Sequence, residues 1–198
     1  MTTTPTATRE RLIGAMIHAL QHRGLHGAGL SAILAAAGAP KGVMYHHFPG
    51  GKEELAVAAI DTTIGLLCER LDAYLQREAS VAAALRLWIQ RAQKGLQASG
   101  FDMGCPLAAV ALESTAADVA LRRALADGFA RLRERIATAL REGGSTEARA
   151  RSLAALIVAA YEGGLLQARV ANDMAPMKLA IEAVLALLDD EQQDRETK

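Results

Sequence analysis

Apolar residues recur at three- and four-residue spacings along nearly the whole chain, and glycine or proline marks the places where the rhythm stops. Thr8 is placed to cap a first helix from about Arg9, whose stripe is Leu12, Ile13, Met16, Ile17 and Leu20 and whose end is Gly24. Three glycines make 24–29 a loop. A second helix, with Gly29 at its N-cap, starts near Leu30 and carries Ile33, Leu34 and Ala37 to a stop at Gly38, which closes a helix without steric cost. Pro40 suits the first turn of a short third helix reaching His47, and Pro49-Gly50-Gly51 separates it from a fourth. Longer helices are expected at 52–76, 80–98, 106–114, 117–142, 146–172 and 176–190, with a polar end over 189–198 that frays. The chain reads as all-α: a three-helix head over 1–51 and a larger helical domain over 52–198.

Composition supports this and narrows the class. Hydrophobic residues make up 51% of the 198 and aromatics only 4%, so the core is alanine- and leucine-rich and large enough to fold without staples. Cys68 and Cys105 are the two cysteines, too few for a disulfide framework, which points to a reducing cytoplasm. The polar 1–8 segment lacks the apolar core of a secretory signal, and apolar stretches such as 153–166 fall short of the roughly 20 residues that span a bilayer. No membrane role is expected. The formal net charge is zero, but residues 1–55 hold five basic residues (Arg9, Arg11, Arg23, Lys41, Lys52) against three acids, together with all five histidines.

The helix, turn and short helix from Leu30 to His47 have the form of a helix-turn-helix, whose second helix lies in the DNA major groove while flanking groups fix its register on phosphates. Lys41 offers a charged donor, Tyr45 a hydroxyl for a phosphate, His46 a further polar group, and Val43 an apolar contact for a thymine methyl. Lys52 places a charge at the start of the fourth helix, where backbone N–H groups already favour an anion. Met44 and Phe48 should point inward. The alternative is a plain helical hairpin with solvated basic residues.

The segment Gly38-Ala39-Pro40-Lys41-Gly42-Val43-Met44-Tyr45-His46-His47-Phe48, followed by Gly51-Lys52-Glu53-Glu54-Leu55, resembles the signature of the TetR family of transcriptional repressors. Gly104-Cys105-Pro106-Leu107 with Glu162-Gly163 resembles the LmrA/YxaF-like branch. The resemblance implies that Pro40, Lys41, Gly42, Val43, Tyr45 and His46 face DNA and that Lys52 grips a phosphate. Gly29 stands where the family usually has Thr or Ser, a contact Ser31 can supply, and Pro40 where Ser is common. It also implies a small hydrophobic or aromatic effector that releases a homodimer from a near-palindromic operator.

Candidates for lining an effector cavity are Leu66, Trp88, Phe101, Met103, Cys105, Leu107 and Val110, with Glu113 or Gln93 as the orienting polar group; ordinary core packing is the competing use of each. Leu153, Leu156, Ile157, Ala160, Tyr161, Gly164, Leu165 and Ala168, with Leu179, Val184, Leu185 and Leu188, form stripes suited to a two-fold four-helix interface or to their own core. Other chemistries find little support. Gly24 interrupts the His18, His22, His26 series before it can build a metal face, and every histidine lies far along the chain from Cys105, so neither a metal nor a nucleophilic enzyme is expected. Gly50-Gly51-Lys52 lacks the upstream glycine and strand of a phosphate-binding loop. No cofactor is implied. A helical small-molecule binding or sequestering protein without a DNA role is the other class the residues allow.

Overall fold

The computed structural model describes residues 5–196, and among them nine α-helices and no strand are found. They are α1 (Pro5–Gly27), α2 (Leu30–Ala37), α3 (Lys41–His47), α4 (Gly51–Leu75), α5 (Val81–Ala98), α6 (Pro106–Glu113), α7 (Val119–Glu142), α8 (Glu147–Ala171) and α9 (Ala175–Glu196). Side-chain caps hold two of the starts, Ser80 accepting from the Ala83 N–H at 3.1 Å and Thr146 from the Arg149 N–H at 3.4 Å. Asn172, in the left-handed conformation, closes α8. The bounds of α1 and α9 differ from the sequence pattern. Pro5 opens α1 earlier than expected, leaving Thr8 inside the helix and buried, its hydroxyl accepting from Arg11 at 3.3 Å, and α9 continues beyond 190 to Glu196.

The helices sort into two compact units. One contains the described residues up to 65 together with Gly104–Phe129; the other contains Leu66–Met103 and the chain from Ala130 onward. The expected 51/52 boundary therefore falls inside the first unit, at the start of α4. Within that unit α1 packs against α2, α3 and α6. Leu12, Met16, Leu20, Ile33, Met44, Phe48, Leu55 and Ile60 are among its fully buried side chains, each worth about 1.5–3 kcal/mol of transfer free energy. Gly128 allows close helix approach there, since a Cβ on it would stand 2.9 Å from Ile64.

In the second unit α8 packs along α9, and both meet α5. This uses most of the stripe read as a dimer face. Leu153, Ile157, Tyr161, Gly164, Leu165 and Ala168 of α8, with Val184, Leu185 and Leu188 of α9, are buried in their own unit, and Ala160 is half-buried. The small residues serve an internal contact: a Cβ on Gly164 would lie 2.9 Å from Met177 Cγ. What α8 and α9 leave exposed is Leu156 and Leu179 of that stripe together with Leu166, Val170 and Leu187. By length and composition α8 is apolar enough to cross a bilayer, with an 18-residue window of mean hydropathy 1.3, and 44% of that window is buried.

Candidate nucleic-acid interface

The turn between α2 and α3 is built from backbone bonds. Gly38 takes φ 58°, ψ 39°, so its N–H reaches back to the Ala35 carbonyl and the Ala39 N–H to Leu34, at 3.1 and 3.0 Å. Pro40 then serves as N-cap in extended conformation, and its carbonyl accepts from Val43 and Met44 to start α3. Ala39, Met44 and Phe48 are buried, which fixes the rotation of α3 about its axis. The opposite side therefore carries Lys41, Gly42, Tyr45 and His46 to the surface, with Val43 half-exposed and Pro40 and Ser31 also exposed. All the residues expected at DNA lie in one unit, and those of the turn and α3 share one face. Lys41 Nζ stands 5.9 Å from the Tyr45 ring centre, and that ring rests against Gly51, where a positive φ of 72° leaves no side chain in the way.

Two arginines of α1 support this turn, and their spacing gave no sign of it. Arg11 Nε donates to the Ala37 carbonyl at 3.0 Å, satisfying an orphan at the end of α2, and the Arg9 guanidinium lies 5.2 Å from the centre of the Phe48 ring. Lys52 is half-buried, and its ammonium donates to the Leu25 carbonyl at 2.6 Å. Burial lowers the Lys52 pKa, against the opposing attraction of Glu113.

Glu113 itself was expected beside an effector. Its carboxylate instead meets the break in α1: Oε2 accepts from the His26 backbone N–H at 2.7 Å and pairs with His26 Nδ1 at 2.8 Å. Desolvation pushes the Glu113 carboxyl up, but bonds from the His26 backbone and ring and from the Leu25 backbone outweigh it and hold the pKa below the ordinary carboxylate value. The break is at Gly24, with φ 69° and ψ −173°, where the helix expected to stop resumes for one turn to Gly27.

The other effector candidates fall in both units. Leu107 and Val110 are buried in the first, beside half-buried Cys105, whose residue caps α6 ahead of Pro106. Leu66, Trp88, Phe101 and Met103 belong to the second, as does half-buried Gln93. Leu66 is exposed; Trp88 is buried, donates from Nε1 to the Leu67 carbonyl at 2.9 Å, and stacks on Tyr161 with ring centres 4.8 Å apart. A groove of about 250 Å³ between α7 and α8 is lined by Arg133, Glu134 and Arg151 with small alanines, and includes none of these candidates. His18 and His22 rings lie 4.3 Å apart, His26 is engaged by Glu113, and no group of three or more metal-ligating residues occurs among the described residues.

Comparison with known proteins gives the family. Residues 12–59 match the model of bacterial regulatory proteins of the TetR family, and residues 81–183 match the C-terminal domain of LmrA/YxaF-like transcriptional regulators. An uncharacterized HTH-type transcriptional regulator of Mycobacterium tuberculosis is 33% identical over 178 residues, covering 86% of this chain and 89% of that protein. The HTH-type transcriptional regulator LmrA of Bacillus subtilis is 27% identical over 170 residues, 86% and 90% of the two chains. The crystal structure of regulatory protein TetR from Rhodobacter sphaeroides superposes with a TM-score of 0.77 at 25% identity, covering 89% of this chain and 96% of that one. These are transcriptional regulators rather than enzymes, and the chain belongs to the TetR family, in its LmrA/YxaF-like branch.

Proposed function

We propose that this regulator is a cytoplasmic homodimeric repressor that reads a near-palindromic operator through α3 and leaves it when a small hydrophobic or aromatic effector binds. The observation that carries the DNA reading is the single outward face of α3, where Lys41, Gly42, Val43, Tyr45 and His46 stand together over a buried Met44 and Phe48. Ser31 and Lys52 flank it as phosphate contacts, and Pro40 faces the DNA beside them without a donor of its own. The functional division is a reading head at 1–51 and an effector-binding and dimerising region at 52–198. Cys68 and Cys105 are not joined in a disulfide, in keeping with a reducing compartment.

For the effector, the candidates within the second unit, Leu66, Trp88, Phe101 and Met103, are apolar or aromatic, a set suited to an aromatic guest more than to a charged one. Effector control then requires that ligand and DNA favour different states of the dimer. For assembly, the exposed row of Leu156, Leu166, Val170, Leu179 and Leu187 is the available apolar surface on α8 and α9.

Fluorescence anisotropy with labelled duplexes tiling the DNA upstream of the coding gene and its divergent neighbour tests the reading. Expected is one duplex bound far more tightly than the rest, with affinity falling steeply as salt rises and lost in Tyr45→Ala. Uniform affinity that ignores salt and the α3 residues would leave a small-molecule binding protein without a DNA role.

A further inference from the structure

We propose that Glu113 is a positioning residue for DNA binding, acting through the Leu25–His26 peptide group to hold the Lys52 ammonium where it meets a phosphate. The inference rests on the reading of Lys52 as a phosphate contact.

The break at Gly24 starts the argument. There the helical ladder of α1 is interrupted, so the N–H groups that follow need an acceptor from outside the helix. Glu113, the last residue of α6, supplies it: Oε2 takes the His26 N–H at 2.7 Å. Only glycine fits at the break. An added Cβ on Gly24 would fall 1.8 Å from Glu113 Oε1, so the carboxylate occupies the space where any other residue would carry its side chain.

The carbonyl of Leu25 and the N–H of His26 belong to one planar peptide unit, and in a trans peptide they point in opposite directions. No cis peptide is present among the described residues. Glu113 therefore grips one edge of that plane while Lys52 Nζ donates to the other at 2.6 Å. Turning the peptide to release Lys52 breaks the bond to Glu113, and losing Glu113 frees the peptide to turn. The carboxylate also polarises the amide, which makes the Leu25 oxygen a better acceptor for the ammonium. An ammonium has three donors, so two remain for a phosphate once the Leu25 carbonyl has taken one. A second tie fixes the other end of the α6 segment to the same stretch of α1, the Gly104 N–H donating to the Gln21 carbonyl at 2.8 Å.

The experiment measures binding of a fluorescein-labelled duplex of arbitrary sequence, about 30 base pairs long, across a salt series, because phosphate contacts are independent of sequence. Wild type, Glu113→Gln, Glu113→Ala, Lys52→Ala and the Lys52→Ala/Glu113→Ala pair are compared. Expected is that Glu113→Ala lowers affinity a few-fold and makes the salt slope shallower by about 0.9 per head, the value of one phosphate contact, as Lys52→Ala does. The double variant should be no weaker than Lys52→Ala alone, with Glu113→Gln lying between Glu113→Ala and wild type. Effects that add, an unchanged slope, or a rise in affinity from removing an acid would each overturn the proposal. If circular dichroism shows Glu113→Ala unfolded, Glu113→Gln is judged by the same slope. Wild-type protein with no salt-dependent binding would sink the DNA reading itself and this inference with it, a result the wild-type curve reports separately.

Discussion

Gly24 and Gly42 show how differently two glycines of one unit are constrained. Gly24 sits at φ 69°, ψ −173°, a region open almost only to glycine, and a Cβ there would run into the Glu113 carboxylate. Gly24→Ala should therefore cost about 2–4 kcal/mol, strain and the displaced carboxylate together, and lower the melting temperature by about 4–12 °C in a thermal scan. Gly42 lies inside α3 with open space around its Cβ position. Gly42→Ala should raise stability by about 0.5–1 kcal/mol through the lost freedom of the unfolded chain, yet weaken duplex binding, because the methyl projects from the α3 face. A variant that melts higher and binds less is the signature to look for. Of these two positions only the place of Gly42 in the short third helix is legible in the sequence. Gly24, the first of three glycines after an apolar stripe, reads as a helix stop, and the Glu113 that meets the break bonds His26 from 87 residues along, outside any local pattern.

At the scale of elements, punctuation carried most of what could be read. Gly38, Pro40 and Pro106 set helix ends through their own backbone limits, and those ends were recognisable because the cause is local. The pairing of elements was not. The clasp between α1 and α6 depends on Glu113 meeting His26, and in sequence Glu113 is one more polar residue at the end of an apolar helix. Its chemistry yields a pH prediction. The folded carboxyl titrates below its ordinary value of 4.5, so the stabilisation it provides is complete above that value and is lost as pH falls through the lower folded one. At pH 6, Glu113→Gln should melt about 2–4 °C below wild type, for a charge-assisted bond worth about 1 kcal/mol at a site 30% exposed. Thermal scans between pH 6 and pH 3 should show that gap closing; a gap that persists when the carboxyl is protonated would place the stabilisation elsewhere.

At the scale of the whole molecule, the charge of one head is modest: Lys41 and Lys52 are the basic residues between Leu30 and Leu55. One head alone would bind weakly, so specific recognition on the proposed reading depends on two heads held at a fixed spacing, which makes the assembly surface part of the DNA-binding machinery. The sequence shows a helix apolar over much of its circumference and cannot say which row faces its own chain, since α8 repeats leucine, isoleucine, valine and alanine on both sides. Packing separates them: the row through Leu153, Ile157 and Gly164 is interior, and Leu156, Leu166, Val170 and Leu179 remain outside. Val170 and Leu179, 81% and 70% exposed, are apolar side chains that the isolated chain leaves in water at the cost of solubility. A Val170→Glu/Leu179→Glu variant touches no buried side chain, so its melting temperature at high dilution should stay within a few degrees of a wild-type monomer. Two carboxylates on each protomer would face their symmetry mates across an apolar contact, where unpaired charge costs several kcal/mol. Sedimentation should then report a monomer at concentrations where wild type is a dimer, with operator affinity down at least 100-fold and weak non-specific binding retained. A double variant that still sediments as a dimer, or a monomer that still binds the operator tightly, would separate assembly from recognition and place the dimer contact on another face.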